Sequence, residues 1–118
     1  MNKIKVYIAS PYTKGDPAVN VKRQIDMADT LMNHDYVPFV PLLMHFQHLC
    51  KPRVYQDWID YDLEWIASCD CLLRLEGESP GADNEVKEAE SLGIPVFYSL
   101  SEINHYYQSS NIGEHKDD

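Results

Sequence analysis

The sequence predicts an α/β domain of the doubly wound class, a mainly parallel sheet of four to five strands with helices on both faces. Three observations carry this. Short apolar runs alternate with stretches of helical periodicity in the order β-α-β-α-α-β-α-β-α, which is the pattern of a parallel sheet covered on both sides. The length of 118 residues suits one domain with one core. With 44% hydrophobic and 25% charged residues, the composition is that of an ordinary globular chain.

Taken in order, residues 4–9 read as a strand, with Val6 and Ile8 on one face and Tyr7 on the other. Residues 10–15 form a loop. Asp16 and Pro17 mark a helix start, with Asp as the cap and Pro in the first helical position. Ala18, Val21, Ile25, Ala28, Leu31 and Met32 then follow at helical spacing to about His34. Residues 36–40 form a short second strand with proline at both ends of its apolar core, and residues 42–50 are either a short helix or an irregular lid. Residues 54–68 make a stronger helix, with an apolar stripe of Ile59, Leu63 and Ile66 and with Trp58 and Trp65 beside it. Residues 71–75 are the third strand. Residues 85–92 are a helix ended by Gly93. Residues 95–99 are the fourth strand, and residues 101–108 are a last helix capped by Ser101. The domain is therefore expected over residues 1–108, with a polar, frayed tail at 109–118.

The formal charge of −9 repels duplex DNA and anionic membranes, so neither a nucleic-acid polymer nor a membrane surface is an expected partner. No apolar run approaches the ~20 residues of a membrane span. The first residues lead straight into a strand pattern rather than a signal-peptide core, and a cytoplasmic location is the expectation. Cys50, Cys69 and Cys71 lack CxxC spacing and read as small core residues in a reducing compartment. His45, His48 and Cys50 cluster, but no HExxH or partner CxxC accompanies them, so no metal is expected. His45 and Phe46 are candidates for the wall of a base-binding pocket, and Tyr106 and Tyr107 read as packing residues.

The acids hold the chemical interest. Glu85 stands at the expected start of a helix, just past the C-terminal end of the third strand, and ligands bind at that edge in open α/β sheets. A first-turn carboxylate is favoured by the helix dipole, either for stability alone or as a preorganised nucleophile. Asp62 shares a helix face with Ile59, Leu63 and Ile66, so it is paired, hydrogen-bonded or functional, whereas Asp57 and Asp60 face water. Tyr7 is either a core aromatic or a hydroxyl aimed at a catalytic acid. The loop carrying Ser10, Pro11 and Lys14 opens on the same edge and offers hydroxyls, N–H groups and a cation to a sugar or phosphate. Neither a Walker loop nor a dinucleotide fingerprint is present in the sequence.

Four pieces in this order resemble the nucleoside 2-deoxyribosyltransferase superfamily, including its 2′-deoxynucleoside 5′-monophosphate N-hydrolase branch. They are Val6-Tyr-Ile-Ala-Ser-Pro11, the segment from Asp62 to Asp70, the loop from Ser79 to Glu85, and Leu92-Gly-Ile-Pro-Val96, within residues 4–100. The resemblance implies a flavodoxin-like sheet. It makes Glu85 the nucleophile toward the anomeric carbon, Asp62 the acid and Tyr7 the residue that orients the nucleophile. It places Ser10, Pro11, Lys14, Ser79, Gly81 and Asp83 among substrate-binding residues. Ser79, six residues before Glu85, stands where transferases carry an acid for the 5′-hydroxyl; a serine there is similar to the N-hydrolase branch, whose loop contacts phosphate. The residues after Glu85, Val86 and Lys87, depart from the small residues usual in that family. The activity implied is cleavage of the N-glycosidic bond of 2′-deoxynucleosides or their 5′-monophosphates, through a covalent deoxyribosyl-glutamate, with transfer to water or another base. No cofactor is implied, and a homo-oligomer is. The alternatives are a non-catalytic nucleotide-binding module using the same cleft and a small interaction domain.

Overall fold

A computed structural model describes residues 3–116, with side chains through residue 108. The frame is set by strict alternation in β1 (Lys5–Ala9). Val6 and Ile8 enter one apolar cluster and Tyr7 and Ala9 the other, and none of the four is exposed to solvent. Beside it lie β2 (Val37–Phe39), β3 (Cys71–Arg74) and β4 (Val96–Phe97), all parallel, in the order β2-β1-β3-β4. Among the described residues four strands form, the lower end of the expected range. Tyr7 pairs with Phe39 on one side and Leu72 on the other, and Ala9 pairs with Arg74.

Both faces are covered. Leu31 of α1 (Pro17–Asn33) and Ile103 of α5 (Leu100–Lys116) pack on Val6, Ile8, Leu73 and Phe97. Ile66 of α3 (Tyr55–Ser68) and Ala82 and Ala89 of α4 (Pro80–Ser91) pack on Tyr7, Ala9 and Leu72. This is the doubly wound arrangement, with chain direction across the sheet reversing between β1 and β3. The crevice beyond the C-terminal ends of those strands is where such sheets bind ligands.

Asp16 caps α1 as expected, accepting from Ala18 N–H at 2.9 Å ahead of Pro17. The buried stripe of α1 differs from the expected one. It runs Val21, Gln24, Ala28, Leu31, while Ile25 and Met32 are exposed. Gln24 occupies an apolar position because its amide is fully used: Nε2 donates to Ile8 O (3.1 Å) and Ser10 Oγ (2.8 Å), and Oε1 accepts from Leu42 N–H (3.2 Å). Residues 42–50 take the helical alternative, a 3-10 turn over Pro41–Leu43 followed by α2 (Met44–Cys50). Cys69 and Cys71 are buried as expected, but Cys50, at the open end of α2, is exposed.

Two helix starts lie elsewhere than expected. α4 begins at Pro80, with Ser79 as its cap accepting from Ala82 N–H at 3.0 Å. Ser79-Pro80 is the same cap-and-first-residue pair as Asp16-Pro17. α5 begins at Leu100, with Ser99 rather than Ser101 accepting from Glu102 N–H at 3.1 Å, while Glu102 accepts from Tyr98 N–H at 2.9 Å. Its backbone continues to Lys116, eight residues beyond the expected end at Gln108; the side chains of the tail at 109–118 lie outside the described residues. Among the described residues no helix is long and apolar enough to cross a membrane.

Gly77, in the β3–α4 loop, has φ +122°, and a Cβ there would lie 2.8 Å from Cγ of Pro11. The proline ring cannot swing aside. Gly77→Ala is therefore expected to lower unfolding free energy by about 1–3 kcal/mol, read by urea denaturation.

Candidate active site

Tyr7 is the buried base of the site. Its ring packs against Phe39 (centroids 5.6 Å apart), which stacks on Trp65 at 4.5 Å, so the phenol has one orientation. Its hydroxyl donates to Glu85 Oε2 at 2.5 Å. Burial, then the charges of Glu85 and Asp62, raise the Tyr7 pKa well above its ordinary value, and the hydroxyl remains a donor.

Glu85 is the sixth residue of α4, not in its first turn, because the helix starts at Pro80. The expected dipole stabilisation falls off over that distance. Burial instead pushes its carboxyl up to about 7; the Tyr7 hydrogen bond and the Arg74 charge pull it down, and Asp62 pushes it up. Asp62, on the facing side of α3, is also raised by burial to about 7. Among the described residues no donor hydrogen-bonds to it, so pairing with a backbone group or an arginine does not explain its place on the stripe. Tyr7 and Arg74 both favour charge on Glu85, and neither favours it on Asp62.

Both acids line a cavity of about 680 Å³, within the range of small-molecule sites of about 300–1,000 Å³. One wall is aromatic. Tyr12 Oη and His45 Nδ1 share a hydrogen bond at 2.5 Å, and burial raises the Tyr12 pKa. His48 Nδ1 accepts from Trp58 Nε1–H (2.9 Å) and Arg53 N–H (3.3 Å), which assigns the neutral ring's proton to Nε2. His45 lines the cavity as expected, but Phe46 does not; it is 54% exposed on the outside of α2.

Ser10, Ser79 and Gly81 also line the cavity. Pro11, Lys14 and Asp83 are not among its lining residues. Pro11 faces Gly77, Lys14 sits 3.6 Å from Glu78, and Asp83 pairs with Arg74 at 3.0 Å. Asp57 pairs with Arg53, and Asp60 accepts from Gln56. Tyr106 and Tyr107 pack on Phe97. Among the described residues no group of three or more His, Cys, Asp or Glu is arranged to hold a metal. Tyr12, Trp58, Gln24 and Arg74 are missing from the sequence-derived site. Gln24 and Arg74 carried a legible signal, a polar side chain inside an apolar pattern.

A family model described as "Domain of unknown function (DUF7768)" matches residues 4–99. The chain belongs to that family. No curated protein matches it. Among solved structures, it is similar to a 2-deoxyribosyltransferase from the psychrotolerant bacterium Bacillus psychrosaccharolyticus, a biocatalyst for the synthesis of antiviral and antitumoral nucleosides. The TM-score is 0.58 at 22% identity, over 78% of this chain and 69% of that one. The two proteins share a fold.

Asp62 and Glu85 titrate higher in the folded chain than at their ordinary values of 3.8 and 4.5, so ionising them opposes folding. Their contribution to stability is full below those ordinary values and is lost as pH rises through about 7. Asp62→Asn is expected to show a smaller fall in Tm than wild type between about pH 5 and about pH 8, read by scanning calorimetry. An identical fall in both would show that Asp62 ionises without penalty.

Proposed function

We propose that this protein cleaves the N-glycosidic bond of 2′-deoxynucleosides or their 5′-monophosphates. The observation that carries the reading is the 2.5 Å hydrogen bond from buried Tyr7 to Glu85, with Asp62 raised to about 7 in the same cavity. In this reading a carboxylate oxygen of Glu85 bonds to the anomeric carbon as the bond to the base nitrogen breaks. The electron pair leaves with the base, and Asp62 supplies its proton. The oxocarbenium-like transition state is stabilised by the Glu85 charge, and a glycosyl-glutamate ester results. Water or a second base then attacks the same carbon, the ester bond breaks, and the incoming group's proton passes to Asp62.

The aromatic wall of Tyr12, His45 and Trp58 suits a planar base. Ser10, Ser79 and Gly81 suit the sugar and its 5′ end. Ser79 Oγ accepts from Ala82 N–H, which leaves its O–H proton for a ligand oxygen. Lys14 drops out as a support for a 5′-phosphate, since it sits against Glu78. The proposal covers both 5′ states and both acceptors, and it includes a homo-oligomer in the cytoplasm.

The test is release of free base from deoxynucleosides and from deoxynucleoside monophosphates, each with and without an acceptor base. Glu85→Gln is expected to lower turnover by on the order of 10³-fold or more. Asp62→Asn should lower it by on the order of 10²–10⁴-fold. The rate should follow a bell-shaped pH profile centred near about 7, because one carboxyl must be charged and the other protonated. Failure to release base from any of these substrates would overturn the enzymatic reading. Tight binding of intact nucleotide without release would indicate the non-catalytic module instead.

A further inference from the structure

β3 is buried along its whole length, yet it ends in an arginine whose side chain is 9% exposed. Buried arginine is costly unless its donors are taken up. Those of Arg74 are spent on the segment that carries Glu85. Nη1 donates to Leu75 O, Nη2 donates to Gly77 O at 2.8 Å, and Nη2 pairs with Asp83 Oδ1 at 3.0 Å. Arg23, from α1, takes the intervening carbonyl, Glu76 O, at 2.7 Å. Three consecutive carbonyls of the β3–α4 loop are thus held by guanidinium groups, and Asp83 belongs to the first turn of α4, two residues before Glu85.

We propose that Arg74 is a positioning residue for Glu85: it clamps the β3–α4 loop and the first turn of α4, and it keeps a positive charge shared between Asp83 and Glu85. The inference rests on the reading of Glu85 as the reacting carboxylate. The other groups around Glu85 are Tyr7 from β1, Asp62 from α3, and Asp83 and Glu88 on α4 itself. His45 and His48 of α2, with Arg53 ahead of α3, line the same cavity. Burial raises Glu85, and Arg74 is the cation that opposes it. A clamp alone needs no charge; a charge shared with Asp83 makes opposite demands on the two ends of the pair.

The test is a carbon-13 NMR titration of the full chain labelled at the glutamate carboxyl carbon, with the Glu85 signal assigned by its loss in Glu85→Gln. Arg74→Gln is expected to raise the Glu85 pKa, and Asp83→Asn to lower it by releasing the arginine charge, each by on the order of half a pH unit or more. Arg74→Lys, which keeps the charge, should restore most of the wild-type value. An unmoved Glu85 in both variants, or movement in the same direction in both, overturns the proposal. If Arg74→Gln does not fold, Asp83→Asn decides: a downward movement supports the shared charge, and an unmoved or upward one overturns it. Base release measured on the same samples separates the two ideas. Opposite pKa movements with no turnover by wild type would overturn the glycosidase reading and leave the role of Arg74 in place. Turnover with an unmoved Glu85 would do the reverse.

Discussion

The hydrogen bond between Tyr7 and Glu85 joins residues 78 positions apart, and much of the architecture serves it. A phenol with no solvent exposure needs an acceptor, and a carboxylate desolvated by burial needs a donor. Each meets the other's requirement. The bond forms only if β1 lies next to β3, if Tyr7 points to the face covered by α3 and α4, and if α4 starts early enough to place its second turn above that face. Pairing of Tyr7 with Leu72 meets the first condition, alternation in β1 the second, and the Ser79-Pro80 helix start the third.

The electrostatic consequence is a site that opposes the fold it sits in. Glu85 and Asp62 are desolvated together in a chain of net charge −9, and each is raised toward neutrality. Two carboxyls desolvated in one cavity ionise at a cost, and nearby donors and cations favour the charged form of the carboxyl that they act on. The Tyr7 hydroxyl and the Arg74 guanidinium lie on the Glu85 side. The two apolar clusters on either side of the sheet, in which helix side chains pack on the buried strands, must support this cost.

Two polar side chains in apolar patterns hold the rim of the cavity. Gln24 joins α1, the end of β1 and the 3-10 turn through three hydrogen bonds. Arg74 joins β3, the following loop and the first turn of α4. Loops at such an edge have few apolar contacts of their own, so buried amide and guanidinium groups do there what hydrophobic packing does in the core.

Element order, the parallel sheet, the split faces of β1 and the prominence of Asp62 and Glu85 were legible along the chain, because period-2 and period-3.6 patterns record which side chains leave water. The start of α4 was legible in principle, since Ser79-Pro80 repeats the Asp16-Pro17 signature, but the glycine after it read as loop. The aromatic wall was not legible: Tyr12, His48 and Trp58 come from separate elements and carry no common spacing. Nor was the ionisation of Glu85, for which helix position suggested a dipole-stabilised anion while burial raised its pKa instead. The sequence by itself determined the order of the elements and the split faces of β1, because hydrophobic periodicity is local. Tertiary structure alone decided that both acids are raised and which side chains share the cavity, because desolvation and charge act through space between residues distant in the chain.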